Sequence, residues 1–351
     1  MKKNIFRNKT ILVTGGTGTI GSGIVRELLK YHPKIIRIYS IDENAQHLMG
    51  QKFPQGKNTK IRYLIGDVRD FDRLKRAVEG VEIIFHAAAL KHIDICEYDP
   101  TEAIKTNITG TQNVIMAALE EKSVERVVFI STDKAVNPTS VMGATKLLCE
   151  KMIAWAMFYR GKSKPIFSSV RFGNVINSRG SIIPLFKKQI QKKGFVTITH
   201  PEMKRFFMSL SGAVNLIFKA SEIAKGGEVF VLKMPCVKIS DLIEVVINKL
   251  ASIYHYNPLD IKIKTIGVRG GEKIDEDLLT TEELTRTIET EKMFIILPKK
   301  RITNNKNLQK MISRNQFPKR EYSTKYENPL KKEEIEELFQ EELSAMKNTE
   351  E

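Results

Sequence analysis

The sequence predicts an α/β fold with a doubly wound parallel sheet, and three observations support this class. Short apolar runs alternate with segments of helical period through the first half of the 351 residues. The first apolar run leads directly into closely spaced glycines, a pattern typical of a strand that turns into a helix. The three cysteines form no CxxC pair, so neither a disulfide framework nor a zinc site is expected.

Six apolar runs predict the strands of the first half. They are residues 10–14, 35–40, 61–66, 82–88, 126–131 and 165–172. Between them lie segments of helical period, such as 20–29 and 100–119, which predict helices. Strands that alternate with helices form right-handed βαβ units, and such units build a parallel sheet with helices on both faces.

The regular alternation of strands and helices changes after residue 174. Predicted helices at 184–192, 212–224 and 240–250 alternate with short strands at 196–199, 229–232 and 261–265. No linker rich in Gly, Pro or Ser divides the halves, so we expect them to share an interface. Residues 1–174 are predicted to form a nucleotide-binding domain whose sheet later segments complete. Residues 175–298 are predicted to form a smaller α/β substrate-binding region. Residues 299–351 are predicted to be a basic surface excursion that ends in a helix over 332–346.

The composition is strongly basic, with 57 Lys and Arg against 41 Asp and Glu, a net charge of +16. These charges are spread along the chain, and no zinc-finger, RRM or basic-helix signature accompanies them. We therefore predict a basic surface that suits an anionic substrate, and no nucleic-acid partner. The chain has no signal peptide and no run of about 18 apolar residues, which predicts a cytoplasmic protein without a membrane span.

The glycines Gly15, Gly18 and Gly21 form a GxxGxxG motif directly after the first strand. Glycine permits a tight turn and a close approach of the backbone to a pyrophosphate, which then lies at the N-terminus of the following helix. The motif and its strand–turn–helix context predict a Rossmann-type dinucleotide site. We expect Thr17, Thr19 and Ile20 of the same loop to contribute to it.

An acidic residue about 20 positions beyond the glycines is expected to bind the adenosine ribose. Asp42 is the candidate, and the neighbouring Ile41 offers no charge for a 2′-phosphate, so NAD is slightly favoured over NADP. After the third strand, Asp67 is a candidate for the adenine amino group. An equally good interpretation is that Asp67 and Asp70 only cap a helix.

Four further motifs identify a family. They are HAAALKH (86–92), STDKA (131–135), MGATK (142–146) and RFGNVINSRGS (171–181). With them the chain resembles an extended short-chain dehydrogenase/reductase, and within that group the soluble polysaccharide-biosynthesis UDP-GlcNAc 4,6-dehydratases. The resemblance covers residues 8–298. Met142 stands where many extended relatives have a tyrosine base, and a subset of these dehydratases has methionine there.

The resemblance implies a catalytic group of five residues, Thr132, Asp133, Lys134, Met142 and Lys146. It implies a role for each of them except Met142. Thr132 would bond the C4 oxygen of the sugar, Asp133 would be the acid for the departing C6 hydroxyl, and Lys134 would be the base at C5. Lys146, four residues after Met142 on the same helix face, would reach the nicotinamide ribose. The group that takes the C4 hydroxyl proton stays open, with Asp133 acting through Thr132 as the first choice and Lys134 as the second.

The resemblance also implies the remaining binding residues and a UDP-GlcNAc substrate. Val68, Ala87, Ala88 and Ala89 would line the cofactor site. The substrate side would comprise Lys91, Asn174, Arg179, Arg205, Arg269 and Glu272, because arginine forms paired charge-assisted bonds to phosphate oxygens. A homo-oligomer is expected for this fold.

Two other functions compete with dehydration. A UDP-sugar 4-epimerase shares the fold, but it has no need of the Asp133–Lys134 pair and normally uses the tyrosine that Met142 replaces. A silent NAD-binding sensor or scaffold would keep the glycine loop. It would have no need of Thr132, Lys146 or the predicted diphosphate ligands.

Overall fold

A nine-stranded sheet runs through the described part of the chain, which in this computed structural model comprises residues 4–53, 59–176, 178, 182–299 and 318–340. Seven neighbouring strands of it are parallel: β1 (Thr10–Thr14), β2 (Ile35–Ser40), β3 (Lys60–Ile65), β4 (Ile83–His86), β5 (Arg126–Ile130), β6 (Ile166–Arg171) and, later in the chain, β10 (Val229–Leu232). Two antiparallel strands, β14 (Thr287–Glu289) and β15 (Met293–Ile296), complete it. The spatial order is β14-β15-β10-β6-β5-β4-β1-β2-β3.

Helices cover both faces of the sheet. They are α1 (Thr19–Leu28), α2 (Glu43–Lys52), α3 (Phe71–Val78), α4 (Ile93–Tyr98), α5 (Pro100–Ala103), α6 (Gly110–Glu120), α7 (Val141–Tyr159) and α9 (Leu210–Ile223). A π-helical turn, Ile104–Thr109, joins α5 to α6. Every residue of β1 is buried, as expected for a strand covered on both sides. The predicted doubly wound α/β class is confirmed, and the six strands of the first half lie within about two residues of their predicted bounds.

A second region packs around its own apolar cluster, which includes Phe186, Phe207, Leu242 and Phe339. Its elements are α8 (Ile182–Lys193), β8 (Phe195–Ile198), β9 (Lys204–Met208), β11 (Cys236–Lys238), α10 (Ile239–Leu250), β12 (Lys262–Thr265) and α12 (Lys332–Leu338). The later segments β7 (Asn174–Val175), β13 (Asp277–Leu279), α11 (Thr281–Leu284) and β16 (Tyr322–Ser323) pack instead against the core of the large sheet. Residues 300–317 of the predicted basic excursion, and 341–346 of the predicted terminal helix, lie outside the described residues.

Arg171, the last residue of β6, connects α7 with β13 and α11 inside the protein. Its side chain is 1% exposed and bonds Glu150 of α7 at 2.6 and 3.1 Å. On its other side it bonds Glu283 of α11 at 3.0 and 3.1 Å, and the carbonyl of Leu278 at 2.9 Å. Bidentate pairs of this kind fix orientation, so the guanidinium holds α7 in register with the later segments.

Candidate active site

A cavity of about 880 Å³ opens along the carboxyl ends of the parallel strands, where ligands bind in open α/β sheets. Its walls contain most of the residues that the sequence indicated. These are Gly15, Thr17, Gly18, Thr19, Ile20, Gly21, Asp67, Val68, Ala87, Ala88, Ala89, Lys91, Thr132, Lys134, Met142, Lys146, Asn174, Arg205, Arg269 and Glu272. Asp42 and Asp133 do not line it, and Arg179 lies outside the described residues.

The glycine loop has the shape that a dinucleotide needs. Gly15 has φ +61°, and a Cβ there would lie 2.7 Å from the backbone nitrogen of Ala88. The loop therefore turns in a left-handed conformation directly against the segment that follows β4, and any side chain at residue 15 would separate the two. Helix α1 begins at Thr19, and the N-terminus of a helix favours an anion. The residues present fit a nicotinamide dinucleotide.

The two predicted adenosine ligands differ in their positions. Asp42 is the N-cap of α2 and accepts a hydrogen bond from the Ala45 backbone at 2.8 Å. Asp67 lies in the cavity wall and accepts from the backbone and side chain of Arg69 at 2.9 and 2.7 Å. Asp70 is the residue that caps α3. The helix-capping interpretation thus describes Asp70 and not Asp67, and the proposed ribose contact of Asp42 stays a prediction.

Thr132, Asp133 and Lys134 form a turn at the end of β5. The Asp133 backbone donates to the carbonyl of Phe172 at 3.0 Å, which fixes the turn against the strand next to β5. Asp133 Oδ1 accepts from Thr132 Oγ1 at 2.7 Å and from Lys134 Nζ at 3.0 Å. Asp133 is completely buried, whereas Thr132 and Lys134 reach the cavity. A proton can therefore reach Asp133 from the cavity through the hydroxyl of Thr132.

Lys134 is positively charged in this arrangement. Burial by itself lowers the pKa of its ammonium group, but the carboxylates of Asp133 and Glu276 outweigh burial, and the pKa is raised. Arg205 does oppose the charge, yet two carboxylates lie close enough to reverse the balance. Lys134 must lose a proton before it can act as a base.

Helix α7 lies against this turn because of its N-cap residue, Ser140, and its third residue, Gly143. Ser140 caps the helix by accepting from the Gly143 backbone at 3.2 Å. A Cβ at residue 143 would lie 2.2 Å from the carbonyl oxygen of Lys134, so only glycine permits this contact. The small residue thus brings Met142 and Lys146 to the same cavity as Thr132 and Lys134.

Met142 is 3% exposed and packs with Cys96 and Ala103 while also lining the cavity. Lys146 is also buried, donates to the carbonyl of Ile130 at 2.8 Å, and lies 4.6 Å from the centroid of the Phe129 ring. Burial lowers the pKa of Lys146 to about 8. Its charge is therefore mostly present near neutral pH, where it can polarise neighbouring hydroxyl groups.

His86, at the end of β4, lies beneath this part of the site. Its Nδ1 is 2.7 Å from Thr14 Oγ1 and its Nε2 is 3.1 Å from Thr111 Oγ1. Thr111 Oγ1 itself donates to the carbonyl of Asn107 at 2.6 Å, so it accepts from the Nε2–H of a neutral imidazole. Burial, with the nearby charge of Lys146, lowers the pKa of His86 to about 3. The motif HAAALKH gave no indication of this position of His86.

On the substrate side of the cavity, Arg205 and Glu272 already contact other protein groups. The two Nη atoms of Arg205 donate to the carbonyls of Lys204, Ile274 and Lys273 at 2.6–2.9 Å. Glu272 lies 3.8 Å from Arg205 and 3.4 Å from Thr199 Oγ1. A diphosphate contact by Arg205 would have to compete with these bonds. Asn174, Lys91 and Arg269 lie in the wall, and the last two side chains are exposed.

Glu276 is the main residue that the sequence reasoning missed. It lines the cavity but is only 2% exposed. Its carboxylate lies 3.5 Å from Lys134, 3.7 Å from Arg205 and 4.0 Å from Lys273. The run Asp275–Glu276–Asp277 was a weak signal, because three successive carboxylates normally indicate a solvated surface.

Two classes of feature are not found among the residues that the structure describes. No cluster of three or more His, Cys, Asp or Glu side chains could hold a metal ion there. Within the same ranges, no helix combines the length and the apolar character needed to cross a membrane.

Comparison with known proteins finds one family model and several relatives that match most of the chain. The family model described as polysaccharide biosynthesis protein matches residues 11–298. A protein of Methanocaldococcus jannaschii named as an uncharacterized membrane protein is 58% identical over 295 residues, which are 84% of this chain and 87% of that one. A UDP-N-acetylglucosamine 4,6-dehydratase (inverting) of Campylobacter jejuni is 40% identical, with 86% and 87% covered. A UDP-glucose 4-epimerase of Rickettsia bellii is 42% identical, with 80% and 81% covered.

Solved structures support the fold. The X-ray structure of Pen from Bacillus thuringiensis superposes with a TM-score of 0.89 at 43% identity, and covers 97% of this chain and 99% of its own. The dTDP-glucose 4,6-dehydratase DesIV from Streptomyces venezuelae, solved with NAD and TYD bound, superposes with a TM-score of 0.66 at 21% identity. It covers 76% of this chain and 86% of its own, and at that identity it supports the fold alone.

Proposed function

Because the chain belongs to the polysaccharide biosynthesis protein family, we propose that it is a UDP-N-acetylglucosamine 4,6-dehydratase. The product would be a UDP-4-keto-6-deoxy-N-acetylhexosamine, used for surface glycans or nonulosonic acids. The family match and the extended short-chain dehydrogenase/reductase fold confirm the resemblance that the motifs indicated. Relatives named as dehydratases and epimerases support a reaction on a nucleotide sugar, without distinguishing between these two reactions.

One observation favours dehydration over the other nucleotide-sugar reactions. The Thr132–Asp133–Lys134 turn places a hydroxyl, a carboxylate and an amine in one chain of contacts of 2.7 and 3.0 Å. Hydride transfer at C4 alone needs a single proton acceptor. Elimination of water across C5 and C6 needs in addition a base for C5 and an acid for C6. A pair of opposite groups at the cavity wall meets that need.

The nicotinamide cofactor, when bound, accepts hydride from C4 of the sugar and returns it to C6. We propose NAD, because Ile41 at the end of β2 lines the cavity and offers no positive charge for a 2′-phosphate. The Gly15–Gly21 loop and the N-terminus of α1 would hold its diphosphate. Lys146 would bond the nicotinamide ribose.

The protons can be followed through the same turn. Thr132 passes the C4 hydroxyl proton to Asp133, which becomes a neutral acid. Lys134 removes the proton from C5, next to the new ketone. Asp133 then protonates the departing C6 hydroxyl, which leaves as water, and Lys134 returns its proton to C5 as C6 is reduced. Asp133 thus performs both of its steps with one proton, and no tyrosine is needed at residue 142.

The test is incubation of the purified protein with UDP-GlcNAc in D₂O, with the product followed by NMR. A 4-keto-6-deoxy product is the expected result, and the same spectrum gives the configuration at C5. Conversion to UDP-GalNAc would instead establish the 4-epimerase that the Rickettsia relative's name suggests. If the substrate stays unchanged although NAD is bound to the protein, the silent NAD-binding sensor or scaffold is the remaining hypothesis.

A further inference from the structure

We propose that Glu276 is a positioning residue that accepts the proton of Lys134 and so delivers Lys134 to the reaction as a neutral amine. This inference rests on the proposed dehydration, in which Lys134 must remove a proton from C5. Neither the motifs nor the compared proteins' names assign a function to Glu276. Four observations about its surroundings carry the proposal.

The first observation is the charge state of Lys134. Its ammonium group contacts Asp133 at 3.0 Å and Glu276 at 3.5 Å, so the folded protein stabilises the protonated form. An ammonium group has no lone pair and removes no proton. The reaction therefore needs an acceptor for the Lys134 proton within the site.

The second observation excludes Asp133 as that acceptor. Asp133 Oδ1 already accepts from both Thr132 and Lys134, and its Oδ2, like Glu276 Oε2, is buried without a hydrogen-bond partner in the described part of the chain. What excludes Asp133 is therefore its other task in the reaction and not a lack of acceptor atoms. In the proposed cycle Asp133 takes the C4 hydroxyl proton through Thr132, and one carboxylate does not hold a second proton. Glu276 is the other carboxylate that the structure places within 4 Å of Lys134 Nζ.

The third observation is that Glu276 is buried with unused capacity to accept a proton. Its Oε2 atom is buried without a hydrogen-bond partner in the described part of the chain. Burial raises the pKa of this carboxyl group, Asp133 adds to the effect, and Lys134, Arg205 and Lys273 oppose it. A proton on Glu276 is thus less costly than on an exposed glutamate.

The fourth observation is that the backbone holds Glu276 in place from the opposite side. The Glu276 N–H donates to Thr324 Oγ1 at 3.0 Å, and the Thr324 N–H donates to the Glu276 carbonyl at 2.9 Å. These bonds lie one residue beyond the paired strands β13 and β16. They fix the backbone of Glu276, whose carboxylate is buried 3.5 Å from Lys134.

The transfer keeps the charge of the pair unchanged. An N–H bond of Lys134 breaks, an O–H bond forms on Glu276, and an ion pair becomes a neutral pair. The lone pair left on Lys134 Nζ then takes the C5 proton. The other groups that face Glu276 are Asp133 from the turn after β5, Arg205 from β9, and Lys273, three residues before it in the sequence. Glu272 contacts the far side of Arg205 at 3.8 Å.

The test is the pH profile of kcat for UDP-GlcNAc dehydration in Glu276→Gln, which keeps the shape of the side chain but accepts no proton. In the wild type the proton moves within the pair, so kcat should be flat between about pH 6.5 and 8.5. In the variant Lys134 must lose its proton to water. We expect kcat to fall about 100-fold or more near pH 7 and to recover about tenfold per pH unit.

A merely structural role would give a different profile. Loss of packing or orientation would lower kcat of Glu276→Gln by the same factor at every pH, and that result would overturn the proposal. So would unchanged activity. Asp277→Asn is the matched control, because its partly buried carboxylate bonds Asn137 at 3.0 Å and does not line the cavity. We expect it to keep the wild-type profile.

Two further readouts separate the possible failures. If Glu276→Gln does not fold, Glu276→Asp can be measured instead. It retains a proton acceptor, so its kcat should be reduced but independent of pH. The wild type gives a second readout, because a wild-type kcat that rises tenfold per pH unit near neutral pH would refute the inference. If the wild type forms no 4-keto-6-deoxy product, the proposed function is wrong, and the inference falls with it. An active wild type with a pH-independent Glu276→Gln defect refutes the inference alone.

Discussion

Lys134 Nζ lies 3.0 Å from Asp133 Oδ1, and this contact joins the group exposed to the cavity to one that is completely buried. Lys134 keeps 22% of its side-chain surface exposed, while Asp133 keeps none. The two neighbours in sequence therefore have different access to a substrate. A molecule in the cavity can touch Lys134 directly, whereas Asp133 is connected to the cavity through the hydroxyl of Thr132.

Replacement of Lys134 should stop dehydration without releasing the cofactor. We expect Lys134→Ala to lower kcat by about 10²–10⁴-fold, the usual contribution of a general base. Lys134→Arg is the matched control, because guanidinium keeps the charge but stays protonated. It should be as inactive as the alanine variant, with NAD affinity preserved in both when measured by fluorescence titration. Full activity in either variant would remove Lys134 from the mechanism.

Met142 should matter more for stability than for chemistry. Its side chain packs against Cys96 and Ala103, so Met142→Ala should cost about 2–5 kcal/mol of unfolding free energy, the range for buried large-to-small changes. We expect kcat to stay within about tenfold of the wild type at a temperature where the variant is folded. Met142→Leu should keep both stability and activity. Loss of activity in a folded leucine variant would show that the thioether has a chemical role.

Much of the fold could be predicted because its signals are local. The strands Thr10–Thr14 and Ile35–Ser40 were predicted at their observed bounds, since buried parallel strands are continuous apolar runs. The glycine loop was equally clear, because Gly15 has a conformation that other residues avoid. The motif STDKA indicated the Thr132–Asp133–Lys134 turn, because the chain resembles a family that has this motif.

The features that the sequence did not predict depend on contacts between distant segments. Glu276 is turned inward by pairing with a strand about 45 residues later, and its neighbours Asp275 and Asp277 look the same in the sequence. The π-helical turn Ile104–Thr109 lies within what reads as one uniform helix. There Asn107 bonds both backbone groups of Leu90 and the hydroxyl of Thr145, which tertiary packing alone determines.

Arg171 should be essential for stability. Its removal in Arg171→Met leaves Glu150 buried without its ion-pair partner and Glu283 with Arg286 at 3.7 Å, at an expected cost of about 3–5 kcal/mol. Denaturant unfolding measures this cost. Lys249→Met is the control, because the exposed Lys249–Glu336 pair should contribute at most about 1 kcal/mol.

A second substitution identifies the source of the Arg171 penalty. If uncompensated carboxylates cause it, adding Glu150→Met to Arg171→Met should recover part of the lost unfolding free energy. Additive losses in the double variant would instead indicate that the packing of the arginine side chain is what matters.

His86 should make the protein labile to acid. Its pKa is about 3 in the folded protein, against about 6.5 for an unfolded histidine. Between these values the unfolded chain binds a proton that the native protein does not, so stability falls as the pH falls. The contribution to the slope reaches about 1.4 kcal/mol per pH unit and vanishes above about pH 7.

A histidine-free variant separates this effect from the titration of carboxylates. His86→Gln can still hydrogen bond with Thr14 and Thr111 but does not titrate. We expect the variant to have a lower unfolding free energy at pH 7, and a dependence on pH between about 4 and 6.5 that is shallower by close to one proton. Denaturant titrations of both proteins across this range measure the difference. Parallel curves would show that the native protein protonates His86 as easily as the unfolded chain does, and would contradict the neutral imidazole between Thr14 and Thr111.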